Sequence, residues 1–127
     1  MKKQDLPLSP HLQIYKPQIT SLLSISHRIS GVALNFMLVI LVLGLLCITL
    51  GESYFELLIS LITSFPVKII IFLAILGFSY HFLNGIRHII WDFGFLLGNR
   101  SSAIFGYIII ATSFISSIFI SRLLGLF

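Results

Sequence analysis

The chain has 127 residues, enough for one domain; 57% are hydrophobic, and only eight Lys or Arg and four Asp or Glu carry charge. A soluble globule covers its surface with about a quarter charged residues, so with a mean hydropathy of +1.09 an ordinary soluble enzyme is excluded. The net charge of +4 does not point to nucleic acid, because the cations are few and scattered at the ends of apolar runs, where they anchor helices in a membrane.

In chain order, residues 1–20 carry Pro7, Pro10 and Pro17, spaced to interrupt any helix before it completes two turns. Lys2, Lys3, Lys16 and Arg28 against Asp5 place this arm on the inner face of the membrane. Three stretches, 29–51, 69–86 and 101–121, contain no charged residue at all, and about 18 uncharged apolar residues suffice for a membrane span. The expected fold is therefore an all-α membrane protein with three transmembrane helices, at about 21–50, 66–92 and 102–125 along the printed sequence, and the amino terminus inside.

The first span is too long for a signal-peptide core and no cleavage pattern follows it, so it is expected to remain as an anchor. The amino terminus also lacks the Arg- and Ser-rich look of an import sequence, which suggests a bacterial chain or one made inside an organelle. Between the first two spans, Tyr54, Leu58, Leu61, Ile62 and Phe65 recur at helical spacing with Glu56, Ser60 and Thr63 between them. That pattern predicts a short amphipathic helix in the outer interface. Arg100 agrees with this topology, and Arg122 reads as a cation reaching outward along its own stem. The single cysteine, Cys47, lies inside the first span and reads as packing.

Polar side chains are costly inside a membrane helix, so their positions carry information. On the second span Ala74, Gly77, Gly85, His88 and Asp92 all fall within about 40° of His81 at 100° per residue. Small residues one turn either side of a histidine suit a flat cofactor lying against the helix while the imidazole reaches its metal. They equally suit a close helix–helix contact with a hydrogen-bonded histidine. His81 and His88 stand about 10.5 Å apart along the axis, so they cannot ligate opposite faces of one iron. A second ligand must come from His27, the only plausible candidate in this chain, or from another subunit. On the first span Ser24, Arg28, Gly31 and Asn35 share one arc, with His27 at its edge. A serine one turn before an arginine offers several donors to an oxygen acceptor such as a quinone carbonyl or a carboxylate. The alternative is an arginine reaching lipid head groups with Ser24 starting the helix.

The segments SPHLQIYKPQITSLLSISHRISG, residues 9–31, and HFLNGIRHIIWDFG, residues 81–94, resemble the cytochrome b subunits of succinate dehydrogenase, the larger membrane anchors of respiratory complex II. Length and three-span topology extend the resemblance over essentially the whole chain. It implies that His81, in HxxxGIRH, is the axial iron ligand of one haem b, the opposite ligand coming from the smaller anchor subunit. It implies quinone-site roles for Ser24 and Arg28, haem-propionate contacts for His27 and Arg28, a secondary or structural haem-region role for His88, and a carboxylate near proton entry at Asp92. Ser26 stands where many relatives carry leucine.

The activity implied is ubiquinone reduction. In that family succinate is oxidised at FAD in a flavoprotein subunit, and electrons pass through iron–sulfur clusters in a second subunit. The 1–20 arm, with apolar Leu12, Ile14 and Tyr15, would then dock the iron–sulfur subunit; alternatively it lies on lipid head groups. The membrane would be the bacterial or mitochondrial inner membrane. Three other readings remain: a fumarate reductase anchor of the same superfamily, a free-standing b-type cytochrome pairing His27 with His81, and a small proton channel using His81, His88 and Asp92.

Overall fold

The computed structural model describes residues 16–127. Pro7, Pro10 and the SPHLQIY docking segment lie outside the described residues; Lys16 to Gln18 form an exposed, irregular lead-in. Four helices follow: α1 (Ile19–Thr49), α2 (Glu52–Thr63), α3 (Phe65–Asp92) and α4 (Asn99–Leu123). Of these, α1, α3 and α4 are long and apolar enough to cross a membrane, and the protein is a multi-pass membrane protein with no strand among the described residues.

The spans outrun the charge-free stretches that mark them. At 31 residues α1 is about 46 Å long against about 30 Å of hydrocarbon. Likewise α4 begins at Asn99, not near 102, because a helix does not stop where its residues turn polar; Gly98 precedes it with extended backbone. The short second helix is present, but it ends at Thr63, and Phe65 belongs to α3 instead of its apolar face. The cause is Pro66, which has no N–H to extend α2 yet fits the first turn of a new helix. Ser64, extended at φ −67° and ψ 141°, serves as the corner between the two.

The core lies where α3 packs on α4 and where the start of α1 closes over both. Along α4 the buried positions are Ser102, Gly106, Ile109, Ser113, Ser117 and Ser121, a stripe three or four residues apart that lets backbones approach in the absence of a water-driven hydrophobic effect. Its hydroxyls are mostly satisfied locally: Ser113 Oγ donates to Ile109 O at 2.7 Å and Ser117 Oγ donates to Ser113 O. Leu23 of α1, 3% exposed, fits the notch at Gly106; a Cβ there would strike Leu23 Cδ1. The Tyr80 hydroxyl of α3 donates to Leu23 O at 2.7 Å, and together these contacts join the three spans near one end.

Candidate functional site

Three histidines meet at that end. His27 of α1 lies with its ring centroid 4.0 Å from that of His81 and 5.2 Å from that of His88, both on α3. Trp91 extends the cluster, edge-on to His88 at 5.2 Å. All three histidines are partly exposed.

The His81 ring lies against α1 at Gly31, where an added Cβ would stand 2.9 Å from His81 Cε1. Only glycine permits that approach. His81 Nδ1 is 3.1 Å from His27 O and 3.1 Å from Ser30 Oγ. Ser30 Oγ already donates its hydrogen to His27 O at 2.8 Å, so it can only accept from the imidazole. Both neighbours of Nδ1 are therefore acceptors, Nδ1 carries the proton, and Nε2 keeps a free lone pair. A ring N–H held by a backbone carbonyl is the usual support of a metal-ligating histidine.

Behind the histidines runs a buried polar chain. Asn84, 0% exposed, places Nδ2 at 2.9 Å from His27 Nδ1. Arg87, also 0% exposed, donates through Nη1 to Asn84 Oδ1 at 3.3 Å and through Nη2 to Ser102 Oγ at 2.8 Å and Ser102 O at 3.3 Å. Its guanidinium carbon sits 4.0 Å above the Trp91 ring, a cation–π contact. Every partner of this cation is neutral, and its Nε finds no acceptor.

Ser24 and Arg28 face away from this cluster. With Thr20, Ser21 and Ile25 they line a groove of about 350 Å³ along α1, Arg28 exposed and Ser24 half-buried. The arc drawn on α1 from spacing thus divides: Gly31 touches His81, whereas Arg28 looks outward. Asn35 is exposed and donates to Gly31 O at 3.2 Å. Asp92 is the exposed last residue of α3. A larger apolar cavity, about 540 Å³, opens between Leu23 and Ser26 of α1, Gly77 and Tyr80 of α3 and Ser113 of α4. Gly77 faces that cavity with nothing within 4 Å of an added Cβ, unlike Gly85, whose added Cβ would rest 3.8 Å from His27 Cε1.

Spacing alone missed Ser30, Asn84, Arg87 and Ser102. A signal was present for two of them. Asn84, Arg87 and Trp91 recur at intervals of three and four, about 60° to 120° round α3 from His81, and an arginine within an apolar helix always needs an account. Ser30 and Ser102 had none, since a serine's partner on another helix is invisible to periodicity.

Residues 2–120 match the family described as the succinate dehydrogenase/fumarate reductase transmembrane subunit. The chain is 42% identical over 107 residues to the succinate dehydrogenase cytochrome b556 subunit of Rickettsia typhi, covering 84% of this chain and 83% of that one. It is 44% identical over 104 residues to the cytochrome b560 subunit of Chondrus crispus, with 76% and 78% covered. To the b560 subunit of Reclinomonas americana it is 38% identical over 114 residues, with 86% and 79% covered. Three apolar spans, a histidine cluster between two of them and a match over nearly the whole chain agree: this protein belongs to the succinate dehydrogenase/fumarate reductase transmembrane subunit family.

Proposed function

We propose that the chain is the cytochrome b membrane anchor of a succinate:ubiquinone oxidoreductase of the bacterial or mitochondrial inner membrane. It would work with a smaller anchor subunit, an iron–sulfur subunit and a flavoprotein subunit. The observation that carries this reading is the hydrogen bonding of His81, whose Nδ1–H is held between His27 O and Ser30 Oγ. That leaves Nε2 as a ligating nitrogen on a ring that only Gly31 allows so close to α1. These residues fit a single protein ligand to haem b, which when bound supplies one-electron redox chemistry.

The opposite axial ligand would belong to the smaller anchor subunit. His27 is a poor candidate for it, because its ring and that of His81 are in direct contact at 4.0 Å and no macrocycle fits between them. This also weighs against a free-standing cytochrome. His27, with Arg28 and His88 near it, is better suited to donating hydrogen bonds to haem carboxylates.

Ser24 and Arg28 would bind the quinone head through its carbonyl oxygens; their groove, lined also by the hydroxyls of Thr20 and Ser21, is rich in donors. Arg28 is exposed, which suits a site completed by a neighbouring subunit. Reduction of a quinone to a quinol consumes two protons, and Asp92, at the exposed end of α3, would pass them in from the inner aqueous side. The succinate dehydrogenase names of the relatives favour the succinate-oxidising direction.

Two substitutions test the reading in the purified complex. His81→Ala is expected to abolish the b-type absorption bands, whereas His88→Ala retains them; a normal spectrum in the first variant removes His81 as the ligand. Arg28→Ala is expected to lower succinate–ubiquinone activity at least tenfold while succinate oxidation by a soluble dye is retained. Equal loss of both activities would assign Arg28 to assembly.

A further inference from the structure

Two imidazoles in contact, His27 and His81, stand where one iron ligand is needed. What separates them chemically is the hydrogen bonding of each Nδ1, and for His27 that is decided by a residue two steps away. Arg87 has donors and no acceptor. The Asn84 atom facing Arg87 Nη1 at 3.3 Å must therefore be the carbonyl oxygen, which turns the amide NH2 toward His27. At 2.9 Å Asn84 Nδ2 donates to His27 Nδ1, so this nitrogen accepts and the ring proton sits on Nε2. His81 has the opposite arrangement, with its proton on Nδ1.

We infer that Asn84 and Arg87 are positioning residues that hold His27 as an Nε2–H donor, denying it a lone pair for iron and leaving ligation to His81 alone. This rests on the reading of His81 as the haem ligand. Burial sustains the arrangement: Asn84 and Arg87 are both 0% exposed, so water cannot substitute for either partner. Arg87 is itself held from the far side by Ser102 Oγ and by the face of Trp91. The device thus spans three helices, with α4 fixing an arginine of α3, the arginine fixing an amide, and the amide fixing a histidine of α1.

The test is ring-15N histidine NMR of the full chain in lipid nanodiscs at one neutral pH. Only four histidines contribute, and His27→Gln identifies the signal of interest. The expected result is an unprotonated Nδ1 and a protonated Nε2 for His27. Asn84→Asp, which offers His27 an acceptor only, should reverse that assignment. Arg87→Met, which frees the amide to turn, should give both forms, and Arg87→Lys, again a pure donor, should restore the original one. A protonated Nδ1 in the wild-type chain overturns the inference outright, as does an unchanged His27 pattern in Asn84→Asp. A merely structural role for Arg87 predicts the same tautomer in Arg87→Met as in Arg87→Lys. Haem absorption of His81→Ala in the complex tests the ligand assignment separately, so either can fail while the other stands.

Discussion

The two parts of α1 make opposite use of the membrane. From Ile19 to Gly31 the helix is tied down: Leu23 fills the notch at Gly106, its carbonyl receives the Tyr80 hydroxyl, and His27 and Ser30 bond to α3. From Val32 to Thr49 no residue is buried, and Phe36, Leu38, Val39, Leu41 and Leu43 are more than half exposed. Only a shallow line, Leu34, Met37, Gly44 and Cys47, is less open. In lipid an apolar surface gains little by meeting another apolar surface, so close packing and hydrogen bonds decide where helices join. The half with fewer apolar side chains is consequently the better packed, and it is the half that carries the candidate site.

The strongest way to break this contrast is to damage the notch. Gly106→Val places a branched side chain against Leu23, which is 3% exposed and has nowhere to move; the expected cost is about 2–3 kcal/mol. It should be visible as a lowered unfolding midpoint in detergent and partly recovered by Leu23→Ala. Next comes Ser102→Ala, which removes the shortest hydrogen bond of a buried arginine and leaves its charge less compensated. About 1–3 kcal/mol is expected by the same measurement. The weakest effect sharpens the contrast: Val39→Ala, on the open half, should change the stability of the isolated chain by less than about 0.5 kcal/mol. Should Val39→Ala cost as much as Gly106→Val, the account of α1 as half anchored and half lipid-facing fails.

The match between motif and structure is uneven for a physical reason. The stripe of Gly85, His81 and His88 lies on one helix, where a rise and a rotation per residue fix relative direction, and it does face α1. The small residues around it divide, however: Gly85 meets His27, while Gly77 opens onto a cavity. Which glycine matters depends on where a second helix crosses, and no single-helix period contains that. Ser24 and Arg28 were grouped correctly as neighbours, yet their separation from His27 by the curve of α1 became clear only when α3 had taken up the other side.

The sequence by itself determined the number of spans, their order, the short helix between the first two and the residues able to hold a cofactor. Those follow from the cost of placing charge in hydrocarbon and from the helical repeat, both of them local properties. Tertiary structure alone decided that three histidines from two helices form one cluster, that His27 touches His81 too closely to share a haem with it, and that Ser30, Asn84, Arg87 and Ser102 set the hydrogen bonding around them. Which ring nitrogen carries a proton depends on donors and acceptors brought from elsewhere in the chain, and partners 51 or 57 residues away in sequence meet only when the helices pack.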